Sequence, residues 1–284
     1  MRRLRFVLAT AVLLAGLLPR VCALDPALPP SGNFDLTHWK LHLPVNKAGG
    51  ADGAAASIAP AGQPNGLRGA SRPPLFFTAR DGAMVLFCPA QGARTATTKF
   101  PRCELREMID PANEAVNWTL DGRHVLEATC RVTQLSTAGA TYIGQIHGVT
   151  ATGGSAYPFV KLKFERVAGG YHIRALCKRD ASHDDDDTMI FPGVNAELNK
   201  DITYAIIANE RTLKVVVDGV TGIIPQKTAN ADGSYASSPS WAEQSLLFYF
   251  KAGNYNQDSS RDASACSVQF YVLNANHTGL RTRW

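Results

Sequence analysis

This 284-residue chain has few helical signals, no cysteine spacing suited to a metal, and no long apolar run beyond Phe6–Leu18. The scarcity of apolar periodicity at helical spacing excludes a bundle. With no CxxC and no Cys/His pattern, the sequence proposes no zinc site, and neither a metal nor an organic cofactor is expected. Phe6–Leu18 is too short to span a bilayer comfortably, and nothing later is longer, so no membrane partner is expected. Linkers, repeats and sharp shifts of composition are also missing, so residues 24–284 read as one domain.

Charge of one sign is missing too, once the start of the chain is set aside. Arg2, Arg3 and Arg5 precede the apolar run and small residues follow at Cys22 and Ala23, the pattern of a signal peptide over residues 1–23. The Pro19-Arg20-Val21 context is a poor match to a lipid-anchored cysteine. The full chain has 29 Lys+Arg against 24 Asp+Glu, and residues 1–23 hold four Arg and no acid. Subtraction leaves 25 against 24, a net of about +1. That balance excludes a case for nucleic acid, and any recognition of an anion has to be local. The expected product is exported, extracellular or periplasmic, and monomeric. It keeps Cys88, Cys103, Cys130, Cys177 and Cys266, an odd number that allows two disulfides and one free thiol without assigning the pairing.

What is there is strand. Phe159–Phe164 alternates, Ile202–Ala208 and Leu213–Val217 are β-branched runs about a polar turn, and Asp218-Gly219 marks a tight turn into Val220–Ile224. Val125–Val132, Tyr171–Cys177, Ser245–Lys251 and Val268–Leu273 add more; Pro111–Val116 reads as a short turn. The fold class is all-β, a sandwich of two antiparallel sheets, one of them concave.

Three polar clusters interrupt apolar strands: Arg102-Cys103-Glu104-Leu105-Arg106-Glu107, Gln145-Ile146-His147, and Tyr249 to Gln257. Alternate residues of a strand share a face. Arg102, Glu104 and Arg106 therefore stand together, Gln145 and His147 stand with Ile146 behind them, and Lys251 shares a face with Tyr255 unless a bulge intervenes. Each cluster alone reads as something ordinary: a surface ion-pair ladder, a half-buried histidine, a packed tyrosine. Together they supply what is needed to grip an anion and move a proton.

The clusters resemble the RxELR, QIH and YFKAGxYNQ motifs of polysaccharide lyase family 7, the alginate lyases with a β-jelly-roll fold. Phe34–Pro44 and Val268–Tyr271 resemble that family's first and last strands, so the likeness runs from about residue 33 to the C-terminus. The resemblance implies β-elimination at the 4-O-glycosidic bond of an anionic polysaccharide, with Arg102, Gln145, His147 and Tyr255 catalytic. It implies substrate contacts at Arg106, Glu104, Lys251, Asn256 and Gln257, although Glu104 also reads as a brace for the arginines. Endolytic cleavage is inherited from the same likeness, and Ile146 leans the expectation towards guluronate-containing or mixed blocks. Cys103 stands where the family commonly has Ser or Thr, and a bridge to another cysteine would brace its strand. A lyase for glucuronan and a noncatalytic carbohydrate-binding sandwich are the alternatives. A hydrolase needs two groove carboxylates, and Glu104 and Glu107 lie on opposite strand faces.

The run His183–Asp187 lacks the spacing of a calcium loop and reads as solvated. Asn117 and Asn276 head glycosylation triplets. The Gly- and Ala-rich stretches Ala48–Ala56 and 148–155 read as loops near the groove.

Overall fold

Alternation along the strands decides which side chains meet between the two sheets. Asp201–Asn209 buries every second residue, Ile202, Tyr204, Ile206 and Ala208, and leaves the others towards solvent. Arg102–Glu107 departs from that pattern, because all six residues are buried although four carry charge. One of its faces packs in the core and the other is covered by the groove. The computed structural model describes residues 23–95, 98–154, 156–242 and 246–283. All but the last residue of the expected leader lies outside the described residues.

The first sheet runs edge to edge through Asp186–Ile190, Gly170–Lys178, Val160–Val167, Ala140–Thr150, Leu246–Asn256, Arg102–Glu107, Trp39–His42 and Ser57–Ile58. Asn117–Trp118 and Thr282–Arg283 extend it beside Leu246–Asn256. The second sheet runs Val220–Thr221, Thr212–Val217, Asp201–Asn209, Arg123–Gln134, Ala265–Thr278, Met84–Pro89 and Phe76–Thr78, with Tyr235–Ala236 paired to Thr212–Val217. The pairing is antiparallel, and neighbours come from distant parts of the chain, as in a jelly roll. Among the described residues, helix is confined to Pro30–Asn33 and a 3-10 turn at Pro239–Ala242, neither of which the pattern of apolar residues had marked. No described helix is long and apolar enough to cross a membrane.

Leu246–Asn256 joins the sheets. Its register slips against Ala140–Thr150 between Ala252 and Tyr255, while its pairing with Arg102–Glu107 stays regular. Gly253 lies opposite Glu104 with φ 148°, and a Cβ there would stand 2.7 Å from Glu104 Cα. Lys251 and Tyr255 face the groove, as expected. Asn254 and Asn256 face inward. Asn254 Nδ2 donates to Leu86 O at 3.0 Å and Cys266 O at 2.7 Å. Asn256 Nδ2 donates to Cys88 O at 3.0 Å, and its Oδ1 accepts from Ser136 at 2.8 Å. The two amides thus tie the first sheet to backbone carbonyls of the second.

The cysteines correct the disulfide expectation. All five are buried with free thiols, packed as small apolar side chains, and burial raises each thiol's pKa. Cys103 Sγ points to Leu75 O at 3.3 Å and bridges to nothing. Asn117 is also buried, holding Arg106 rather than offering a surface acceptor for a glycan. In the acidic run His183, Asp184 and Asp185 are exposed, as expected, with Asp184 reaching Lys178; Asp186 also takes Lys178, and the buried Asp187 takes Arg179 and Lys227 at 2.6 Å each.

On the core face of Arg102–Glu107, Glu107 accepts from Trp118 Nε1 at 2.9 Å and Phe250 N at 3.0 Å. His277 Nε2 is 2.7 Å from its other oxygen, and His277 in turn contacts His124. Burial works against the Glu107 charge, yet these bonds, His277's first, hold its carboxyl below the ordinary range.

Candidate active site

Glu104 is the hub of the groove floor. It is 1 % exposed and lies opposite the glycine that leaves room above it. Arg102 Nη1 donates to its Oε2 at 2.9 Å, Lys251 Nζ pairs with the same oxygen, and Gln145 Nε2 donates to Oε1 at 2.5 Å. Burial alone would raise its pKa, but the charges of Lys251 and Arg102, with their hydrogen bonds and that of Gln145, lower it. An ionised Glu104 therefore fixes three side chains from three neighbouring strands. Its oxygens are committed to them, so it braces the site; the expectation of a substrate contact is corrected, since its charge would also repel a uronate.

Arg102 is held by that bond and by its stack on Tyr255, Cζ 3.8 Å from the ring centroid. Its Nε is buried without a partner among the described residues. Arg106 differs. Its Nη1 donates to Glu107 O at 2.6 Å and to Met108 Sδ, and its Nη2 donates to Glu114 O at 2.8 Å and Asn117 Oδ1 at 2.9 Å. The guanidinium also lies over Tyr249, 4.0 Å from the centroid. Arg106 lines the groove with its charge, but its terminal donors are occupied, so it can meet a substrate by charge and not by a donated hydrogen bond.

His147 is half-buried with its ring stacked on Tyr249, centroids 5.3 Å apart. Its Nδ1 lies 2.7 Å from Gly148 O; a carbonyl only accepts, so Nδ1 carries the proton and Nε2 presents its lone pair. Burial, reinforced by Lys251, pulls its pKa down to about 3. Burial raises the Tyr255 phenol above its ordinary value, against the pull of Arg102, so the hydroxyl keeps its proton. Tyr142 faces it with ring centroids 5.9 Å apart, brought there by a register slip between Tyr142 and Gly144. Lys251, buried among cations, is lowered to about 8.

Arg102, Arg106, His147, Tyr249 and Lys251 line a cavity of about 700 Å³; Glu104 and Gln145 lie buried beneath it, and Tyr255 stands beside it, under the Arg102 guanidinium. Asn256 is not part of it, for the inward orientation given above. Gln257 is not either: its Nε2 donates to Tyr255 O at 3.0 Å and its N–H to Ala140 O, closing the strand end. Lys40, His42 and Tyr249 line the cavity without having been assigned from sequence; alternation in Lys40-Leu41-His42 was the available signal. A second cavity, about 380 Å³ beside Glu107 and His277, lies on the other face and lacks the cations of the groove.

A jelly roll whose concave sheet carries fixed cations, a neutral imidazole and a protonated phenol defines an enzyme that acts on an acidic polysaccharide. The chain belongs to the alginate lyases of polysaccharide lyase family 7, whose family model matches residues 34–277. An alginate lyase of Klebsiella pneumoniae is 27 % identical over 89 % of this chain and 92 % of its own. The crystal structure of the family 7 alginate lyase A1-II′, bound to the substrate GGMG, superposes with TM-score 0.76 at 30 % identity, covering 90 % of this chain and 99 % of that one. An alginate lyase from Pseudomonas aeruginosa gives 0.71 at 26 % identity, covering 86 % and 100 %.

Proposed function

We propose that the protein is exported and, as a monomer, cuts alginate internally by β-elimination, with guluronate-containing or mixed blocks preferred. Arg102 neutralises the uronate carboxylate, whose negative charge otherwise opposes loss of the C5 proton, and Gln145 adds an amide donor. An aimed donor of this kind contributes about 3–4 kcal/mol at the transition state. His147 Nε2 takes the C5 proton, the electron pair forms the C4–C5 double bond, and the C4–O bond breaks. Tyr255, whose phenol is protonated, donates that proton to the departing oxygen. Lys251 and Arg106 supply positive potential along the groove.

The observation that carries this reading is a single groove face on which an unprotonated His147 and a protonated Tyr255 flank Arg102 and Gln145. The oligosaccharide bound by A1-II′ supports a polymer of uronates as the partner. Export is supported by the basic start and the apolar run Phe6–Leu18. Ile146 supports guluronate only indirectly, because it is buried behind the groove.

The test is ultraviolet absorbance during incubation with polyguluronate, polymannuronate and glucuronan separately, with product sizing. A rise from the conjugated uronate, fastest on polyguluronate and with long products first, is expected. A faster rise on glucuronan overturns the substrate, monomeric products alone overturn endolytic action, and binding without any rise overturns the reaction.

A further inference from the structure

Two groove-lining residues each bury a polar atom that has no partner among the described residues: Arg102, at Nε, and His42, at Nδ1. Arg102 already has a part in the reaction. His42 has none, and its place follows from the sheet. Trp39–His42 pairs antiparallel with Arg102–Glu107, setting His42 directly opposite Glu104. Alternation sends Trp39 and Leu41 into the core and turns Lys40 and His42 to the groove. His42 thus borders Glu104 on the side away from Gln145, one strand spacing from Glu104, about 4.8 Å, and diagonal to Arg102, about 7–8 Å.

The charged groups that face His42 are Lys40 on its own strand, Arg102, Glu104 and Arg106 on the next, and Lys251 on the strand beyond. Glu104, the one acceptor among them, is bonded to Arg102, Lys251 and Gln145. Burial and the four cations keep the imidazole neutral, well below its ordinary pKa. A neutral imidazole has one donor and one acceptor nitrogen. An unpaired buried nitrogen is costly, and no group among the described residues pairs with it. Nδ1 is closed off with the ring as it stands, but His42 is partly exposed to the groove, and a half-turn about Cβ–Cγ brings Nδ1 to a sugar hydroxyl, which both donates and accepts and so suits either tautomer.

We infer that His42 is a substrate-binding residue, hydrogen-bonding a ring hydroxyl of the uronate next to the one held by Arg102 and Gln145. This rests on the reading of the groove given under Proposed function.

The experiment compares His42→Ala and His42→Gln with the unsubstituted full chain. Steady-state elimination on polyguluronate is measured alongside calorimetric binding of a saturated guluronate oligomer in a Tyr255→Phe background. For His42→Ala we expect KM and Kd to rise by about three- to tenfold, the cost of one ordinary hydrogen bond, with kcat within about twofold. His42→Gln keeps a donor and an acceptor and restores most of the affinity. His42→Phe, ring-shaped but without hydrogen bonds, replaces the alanine variant if that one fails to fold. Unchanged KM and Kd, or a loss confined to kcat, overturns the assignment. If the unsubstituted chain forms no unsaturated product, the reaction reading fails, and the calorimetric comparison still decides His42.

Discussion

His124 and His277 meet nitrogen to nitrogen, Nδ1 to Nδ1 at 2.8 Å, inside a chain that runs from Glu107 to the carbonyl of Asp121. His124 Nε2 donates to Asp121 O at 2.9 Å, and His277 Nε2 donates to the Glu107 carboxylate. Both outer nitrogens therefore carry protons. The inner contact needs one more, because two lone pairs would repel. Three protons on four ring nitrogens make one positive charge, matched to Glu107. Nitrogen shifts of the two rings at neutral pH are expected to show those three protons; two would mean that the contact is broken.

Glu107→Gln puts an amide where the carboxylate accepts from Trp118, Phe250 and His277. One of those donors then faces an N–H, and the imidazolium loses its counter-charge. The expected loss is about 3 kcal/mol by denaturant unfolding. Activity per folded molecule is expected to hold, since Glu107 faces away from the groove.

His147→Asn and Tyr255→Phe remove the base and the acid while nearly keeping shape. Each is expected to lower kcat by about 10²- to 10⁴-fold with KM changed far less. The secondary-structure spectrum should match the parent. A variant that retains more than a tenth of the parent rate would remove that residue from the mechanism.

The pH response separates Lys251 from the two proton carriers. His147 is neutral down to about 3, so its titration gives no acid limb between about pH 5 and 7. Its unfolded form titrates near 6.5. Its contribution to stability is thus present above about 6.5 and is lost as pH falls towards 3. Lys251 loses its proton as pH rises through about 8, and with it part of the attraction for a polyanion. KM is expected to climb on that side, and Lys251→Arg, which does not deprotonate, should move the limb upward. An unmoved limb in the arginine variant would clear Lys251 of setting it.

Gly253→Ala would drive a Cβ to 2.7 Å from the Glu104 backbone at a φ that suits glycine. A loss of about 2–4 kcal/mol is expected, together with a drop in kcat as Glu104 is displaced from Arg102 and Gln145. Unfolding curves and kinetics on the same preparation check both.

The period-two pattern was enough to read the strands, and alternation within three clusters was enough to place Arg102, Gln145, His147, Lys251 and Tyr255 on one face. Alternation also argued that Asn256 points the other way from Tyr255; assigning the whole motif to the groove overrode it. Arg106 misled for a different reason. The turn that returns Glu114 and Asn117 to its guanidinium is tertiary, and nothing in Arg-x-Glu-x-Arg announces it. The cysteines were silent on pairing because an odd count does not report distance. His42 was passed over because a histidine in a short edge-side strand looks like filler until the cations around it are seen.

Arg106 draws a polyanion by its charge while its terminal donors stay with the protein. A charge of that kind pulls without holding, and its pull reaches only about 10 Å at 0.1 M salt. Arg102, whose guanidinium lines the groove with Nη1 braced by Glu104, is a handhold instead. The groove therefore combines a tether that brine loosens with a clamp that brine scarcely touches, so rising salt should slow capture of the polymer before it slows the cut.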